Sequence, residues 1–500
     1  MELANALLQL LTPWMIFLTV LGTALGIIVG AIPGLTGAML IALTLPITYR
    51  MMPPDAMNLL VAMYTGSITG GLVSSILLRI PGTPSNVMTT FDGFPMALRG
   101  EAGRALGYGI VASTFGALFA WVVLATLTQP LADLAIRFSP FDYFALVLSA
   151  LVLISSISQG SMLKGLLSGA LGALVAFPGI DANSGTSRYT FDYWQLASGF
   201  DVLPVLVGVF AVGTILGEIL APERKREVLD YSGRGFWIPL RTWRAQFVNL
   251  LRSSAIGTWI GILPGIGANV GSLVAYTVAK NTSKRPQEFG RGCPDGIVAS
   301  EAANNATVGG ALIPLIAMGI PGSVIDVFLM GAMQIHGIQP GPLLFKNNAD
   351  LVYIIIGACL TSTIAMFGLM VVLTPMLRRL LDVPKHYVLT TVLVFCVVGV
   401  FASNSRLFEV WVMLGFGVLG FGMERAGLPL GPFVLGFILA PLAEAKLRSG
   451  LMMTGGDITP LFTEPLSLAL LLVSVLLLVW PFVAGFLRRS RAARASQPSG

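Results

Sequence analysis

Two Pro-Gly stretches carry the residue types best suited to holding a ligand. Gly26 to Met39 reads GIIVGAIPGLTGAM, and Gly257 to Val270 reads GTWIGILPGIGANV. Four positions are identical, Gly26 with Gly257, Gly30 with Gly261, Pro33 with Pro264 and Gly34 with Gly265, at an offset of 231 residues. A second pair follows in the same order. SITGGLVSSILLRIPGT runs from Ser67 to Thr83 and ATVGGALIPLIAMGIPGS from Ala306 to Ser323, at an offset of 239 to 240. Two motifs repeated in order at nearly one spacing indicate an internal duplication.

Each Pro-Gly break interrupts an apolar run and frees backbone N–H and C=O groups. Lipid cannot satisfy these groups, so protein, water or a ligand must. The N-terminus of the helix after a break offers donors and partial positive charge to an anion, and the C-terminus before it offers carbonyls to a cation. The expected substrate-binding residues are therefore Pro33, Gly34, Thr36 and Gly37 in the first copy, with Pro264, Gly265, Gly267 and Asn269 in the second. The other pair of breaks adds Thr83, Ser85, Asn86 and Ser323. Hydroxyls and amides of this kind hold a carboxylate without a permanent charge. Upstream lie Tyr64 and Ser67, and the expected ion-coupling residues Thr65, Thr69, Asn304, Asn305 and Thr307. Glu218, Asp201, Glu301 and Asp326 are the acids nearest to membrane depth and are further candidates for ion coupling. No lysine or arginine lies within the breaks, so a bound anion rests on helix ends and neutral donors. The plainer reading is close packing through small residues and ordinary helix-to-helix hydrogen bonds. The ordered duplication argues against it.

Composition sets the frame for these motifs. The chain has 500 residues, 55% hydrophobic and 11% charged. Soluble domains carry about 25% charged residues, so most of this chain is not in water. Apolar stretches of roughly 18 to 25 residues recur throughout, the length a bilayer-spanning helix needs. The fold class expected is an all-α polytopic membrane protein with two inverted structural repeats, built from broken helices or re-entrant hairpins. No soluble stretch is long enough for a catalytic domain. HExxH, a usable GxSxG and GxxxxGK[ST] are absent, so neither an enzyme nor an ATPase is expected. Cys293, Cys359 and Cys396 read as reduced packing residues. His336 and His386 are too far apart to suggest a metal, and no cofactor is expected beyond a bound Na⁺. The N-terminus has no basic side chain ahead of its apolar run, so no cleavable signal peptide is expected.

The elements fall in two halves. A first repeat is expected over residues 1–220, a basic cytoplasmic linker over 221–247, a second repeat over 248–487 and a basic tail over 488–500. Trp237 and Trp243 suggest an interfacial helix in the linker. The stretch from Pro81 to Arg104 reads as a polar loop, and residues 321–350 as a semi-polar stretch. Placing the linker in the cytoplasm also puts the Arg79–Arg104 and Lys280–Arg291 stretches inside, as basic loops require. The first half then crosses an odd number of times, and the halves are oppositely oriented, as in secondary transporters with a midplane site.

At these residues the sequence resembles a known family. GAIPGLTGAM, ILPGIGANV, IPGTPSN and IPGS look like the large membrane subunit of the tripartite tricarboxylate transporters. The resemblance covers essentially the whole chain. It implies a bacterial inner-membrane secondary importer of citrate-like or other organic carboxylates, coupled to Na⁺ or H⁺. It also implies a small integral membrane subunit and a periplasmic solute-binding protein as partners. The residues themselves leave open a stand-alone carboxylate/cation symporter or antiporter, and a non-transporting membrane scaffold.

Overall fold

A computed structural model describes residues 2–157, 161–181, 185–220, 235–380 and 385–479. In chain order the helices are α1 Glu2–Leu10, α2 Pro13–Ala31, α3 Gly37–Thr48, α4 Pro53–Leu78, α5 Val87–Leu98, α6 Ala102–Ala135, α7 Pro140–Ile157 and α8 Met162–Val175. A continuous helical run follows from α9 Val202–Leu206, through a π-helical stretch at Val207–Val212, to α10 Gly213–Leu220. Then come α11 Leu240–Ile262, α12 Gly267–Thr282, α13 Pro294–Met318, α14 Val324–Ile335, α15 Leu344–Asn347 and α16 Ala349–Leu380. The last are α17 Lys385–Asn404, α18 Leu407–Arg425, α19 Leu430–Met453, α20 Pro460–Thr463 and α21 Pro465–Val479. Among the described residues the sheet is a single two-residue antiparallel pair, Gly179–Ile180 with Ser187–Arg188. Seven of the described helices are long and apolar enough to cross a bilayer. Large apolar side chains such as Trp14, Val122 and Val372 stand exposed on them. The protein is an all-α, multi-pass membrane protein.

The breaks follow from proline and glycine chemistry. A residue before proline is pushed out of the helical region, and Ile32 (φ −84°, ψ 113°) and Leu263 (φ −77°, ψ 121°) are both extended. Gly34 at φ +94° and Gly265 and Gly267 at +70° then take a conformation that costs a side-chain-bearing residue about 1–2 kcal/mol. At the second pair of breaks, α4 ends on left-handed Arg79 (φ 57°) and α13 on left-handed Gly319 (φ 72°). The chain restarts on hydroxyl caps. Thr36 accepts a hydrogen bond from the Met39 amide at 3.2 Å, and Ser323 from the Asp326 amide at 3.3 Å.

The duplicated sequence produces duplicated packing. On α2, Gly26 and Gly30 press against the Met63 and Ser67 carbonyls of α4. On α11, Gly257 and Gly261 press against the Ala303 and Thr307 carbonyls of α13. The reverse contact repeats too, Gly70 on the Ile27 carbonyl and Gly310 on that of Thr258. Small residues are what such close backbone approach requires. Trp14 Nε1 donates to Asp55 at 3.1 Å, so the start of α2 lies beside the start of α4. The α2–α3 segment therefore leaves one end of α4 and returns to it as a hairpin. Asn249 Nδ2 donates to the Asp295 carbonyl at 3.0 Å and Arg252 contacts Thr282, which gives α11–α12 the same form. Pairs between α4 and α13 run in opposite directions along the two helices, Thr69 with Asn305, and Tyr64 with Ser323 just beyond α13. Cross-half packing completes the centre, with α6 along α13 and α16 along α4.

Two compact units result, residues 1–136 with 178–426, and residues 137–177 with 427–500. They do not follow the sequence halves, because helices are exchanged. In the second unit α8 of the first half packs on α19, with Gly172 against the Phe433 carbonyl and Gly436 against that of Gly169. In the first unit α18 packs on the run from Val202 to Leu220, with Gly208 against the Met413 carbonyl.

Two expectations need correction. The stretch from Pro81 to Arg104 is not a loop: it holds a 3₁₀ turn at Pro84–Asn86 and the helix α5. Residues 321–350 likewise contain α14 and α15. Each of α5 and α14 is 12 residues long, well short of a bilayer span, so neither registers as an apolar element of spanning length. Helix α11 begins at Leu240, within the stretch assigned to the linker, and its Trp243 packs edge-on against Tyr108 at 5.6 Å. Trp237 is exposed. Residues 221–234 and the tail 488–500 lie outside the described residues.

Candidate functional site

The four breaks exchange partners between halves. The turn at Pro84–Asn86 packs against α12 of the second half, and α14 packs against α3 of the first. All the groups below lie in the first compact unit.

The first cluster centres on Glu301, fully buried in the middle of α13. Its Oε1 accepts from Asn86 Nδ2 at 3.0 Å and from the Thr89 hydroxyl, and its Oε2 from Ser113 Oγ at 3.2 Å. Asn86 in turn accepts from Thr83 Oγ1 at 2.5 Å, and Thr83 pairs with Ser85 at 2.9 Å. Thus Thr83, Ser85 and Asn86 come together around Glu301, one of the acids nearest to membrane depth in the sequence. Thr89, Ser113 and Ser300, which pairs with Thr89 at 3.1 Å, belong to no repeated motif. Asn304 is fully buried beside Glu301, with neither end of its amide in a well-formed hydrogen bond.

The second cluster is the counterpart, 240 residues on. Ser323 takes the place of Thr83, and Asp326 that of Asn86. Tyr64 OH lies 3.0 Å from Ser323 Oγ. Gly37 packs so closely on the Ser67 hydroxyl and Ile325 that a Cβ there would collide with Ser67. Pro33 is buried and Thr36 is spent on its cap. The space beside Gly34 is filled by the Glu218 carboxylate, whose Oε1 lies 2.5 Å from where a Cβ would stand.

Between the clusters runs a polar seam. Thr69 Oγ1 donates to Asn305 Oδ1 at 2.6 Å, Asn305 Nδ2 to the Glu301 carbonyl at 3.2 Å, and Ser362 Oγ to Thr65 Oγ1 at 3.1 Å. A cavity of about 10 Å³ opens beside this seam, lined in part by Thr65, Trp121, Asn305, Cys359 and Thr363. That is roughly the room of one water. Thr307 bonds back to the Ala303 carbonyl at 2.8 Å and faces Gly271. Elsewhere the copies differ. The first tip is largely covered, whereas Pro264, Gly265 and Gly267 are half-buried and Asn269 is exposed. Asp201 lies away from the seam and accepts from Asn404 at 2.7 Å. Among the described residues no three His, Cys, Asp or Glu side chains form a metal-sized group.

One more cross-half contact closes the end of the site where α5 meets the loop before α13. Asp92 Oδ1 accepts from the amides of Gly290, Gly292 and Cys293 at 2.8, 2.9 and 2.8 Å, and Oδ2 from Tyr276 OH at 2.8 Å. Arg99 reinforces it by donating to the Arg291 and Gly292 carbonyls at 2.9 and 3.0 Å. Burial first, then the nearby Asp295 charge, push the Cys293 thiol up to about 11. Hydropathy gave no sign of this latch.

Paired broken helices meeting across two sequence halves, lined by hydroxyls, amides and single acids, define a membrane-embedded transport protein. The chain matches the tripartite tricarboxylate transporter TctA family over residues 16–435. It belongs to that family and is a membrane transporter component. An Agrobacterium vitis relative is 34% identical over 465 residues, 93% of this chain and 92% of its own length; it is described as an uncharacterized 52.8 kDa protein in the TAR-I ttuC' 3' region. A second, an uncharacterized protein in the TAR-II ttuC' 3' region of the same organism, is 33% identical over 230 residues, 45% of this chain and 95% of its own. No solved structure matches.

Proposed function

We propose that this chain is the permease subunit of a secondary, receptor-dependent importer of tricarboxylates or other organic carboxylates in the bacterial inner membrane. A Na⁺ or H⁺ gradient drives it. A small integral membrane subunit and a periplasmic solute-binding protein work with it, as the family's tripartite character suggests. The observation that carries this reading is the exchange of the four breaks: Thr83–Asn86 packs on α12, and Ser323–Asp326 on α3. That arrangement gathers helix N-termini from both halves around neutral donors, the chemistry a carboxylate needs. The antiparallel pairing of α4 with α13 supports an inverted relation between the repeats, and hence alternating access. The substrate-binding residues proposed are Pro33, Gly34, Thr36, Gly37, Thr83, Ser85, Asn86, Pro264, Gly265, Gly267, Asn269 and Ser323. Thr65, Thr69, Asn304, Asn305 and Thr307 form the proposed ion-coupling seam.

The test is uptake of labelled di- and tricarboxylates into proteoliposomes holding this chain with its small subunit. It is run with and without receptor, under an imposed Na⁺ or H⁺ gradient. Gradient-driven, receptor-dependent uptake of one acid is expected. Uptake unaffected by omitting the receptor would refute receptor dependence, and no uptake of any acid by the folded complex would refute the carboxylate reading.

A further inference from the structure

Asp326 differs from every other acid of the central seam. It is fully buried in the first turn of α14, and neither carboxylate oxygen makes a well-formed hydrogen bond; its nearest donors are the hydroxyl and backbone amide of Ser323. The hydroxyl of nearby Ser323 is taken up by the Asp326 amide at 3.3 Å and by Tyr64 OH at 3.0 Å. The equivalent residue of the first half, Asn86, is neutral and bonded at both ends. The duplication therefore isolates the difference: one copy places a well-bonded amide after its break, the other a buried acid with no well-formed hydrogen bond.

The surroundings offer no counter-charge. Tyr64 from α4 and Cys359 from α16 are the titratable groups that sense Asp326. Helices α3 and α9 and the π-helical stretch carry no titratable side chain. Asp201, ahead of α9, is bonded to Asn404. On α13, Asp295 is bonded to Gln246, and Glu301 to Asn86, Thr89 and Ser113. Glu218 lies at Gly34. A bare carboxylate in such a place is costly unless a cation neutralises it.

We propose that Asp326, with the Tyr64 and Ser323 hydroxyl oxygens beside it, is where the coupling cation binds. The ligand is one monovalent cation, a proton or Na⁺, taken up from water and returned to it without further chemistry. This rests on the transport reading above but is tested without transport. The purified full-length chain is assayed for bound ²²Na⁺, and by infrared spectroscopy for a carboxylic-acid C=O band, as wild type, Asp326→Asn and Asp326→Glu. Bound ²²Na⁺ lost in Asp326→Asn would identify sodium. A carboxylic-acid band lost in Asp326→Asn and shifted in Asp326→Glu would identify the proton. Should Asp326→Asn fail to fold, a changed ²²Na⁺ affinity or a shifted band in Asp326→Glu decides in favour. Signals that neither substitution alters, or the absence of both signals in wild type, would overturn the proposal. Failure of carboxylate uptake alone leaves these readouts standing, so the two readings fail separately.

Discussion

Asn86 and Glu301 show how much a single contact carries here. The Asn86 amide both donates to a buried acid and accepts from Thr83. Asn86→Leu leaves partners of both kinds unsatisfied, and each such buried group costs about 1–3 kcal/mol. The melting temperature of the purified chain should therefore fall well below wild type, with Ser85→Ala, which removes one hydroxyl pairing, much closer to it. Equal melting temperatures for the two variants would contradict the network. Backbone strain gives a second comparison. Gly319 and Arg79 occupy equivalent left-handed positions, at φ 72° and 57°. Gly319→Ala adds a left-handed side chain at a cost of about 1–2 kcal/mol, and its Cβ meets the Pro340 carbonyl at 2.8 Å. Arg79→Ala adds no such strain, because Arg79 already bears it. Thermal unfolding should show the larger loss for Gly319→Ala.

At the scale of elements, the Asp92 latch ties α5 of the first half to the loop before α13 of the second. Cys293 lies under that latch, 6% exposed. In a chain with Cys359→Ser and Cys396→Ser, Asp92→Ala should speed labelling of Cys293 by a thiol reagent, since opening both uncovers the sulfur and eases formation of the reactive thiolate. An unchanged rate would show that the loop is held by other contacts. The latch also marks what hydropathy cannot see. The broken helices α2–α3 and α11–α12 were legible, because proline, glycine and an apolar run each leave a local mark. Helices α5 and α14 were not, because each is 12 residues long, short of the roughly 20 that a span needs, and so leaves no mark of spanning length. The residues that complete the first cluster, Thr89, Ser113 and Ser300, come from three separate helices and carry no motif. The correspondence of Asn86 with Asp326 was present in the sequence, in the offset of 240 residues.

For the whole molecule, the duplicated packing makes sidedness testable. Arg99 touches Arg291 and Gly292, and a Cβ built on Gly235 would stand 3.6 Å from the Arg104 Cβ, so three basic stretches gather at one end of the first unit. Trp14 and Asp55 meet at the start of α4, the opposite end of that helix. In a chain whose three native cysteines are replaced by serine, Glu101→Cys and Arg285→Cys should label only after the cytoplasm is opened, and Met52→Cys in intact spheroplasts. Labelling of all three from one side would break the inverted arrangement. The exchange of helices between halves was not legible, because nothing in a helix's own sequence names its distant partner. The central claim is that a carboxylate passes between the paired breaks, and its most direct measurement is carboxylate uptake by Gly34→Leu and Gly265→Leu. Both positions hold φ values that leucine resists, +94° and +70°, and at Gly34 the side chain would also strike Glu218. Displaced helix ends should lower uptake by about tenfold or more in each variant, with the protein still folded by size-exclusion chromatography. Wild-type uptake in both folded variants would contradict the account.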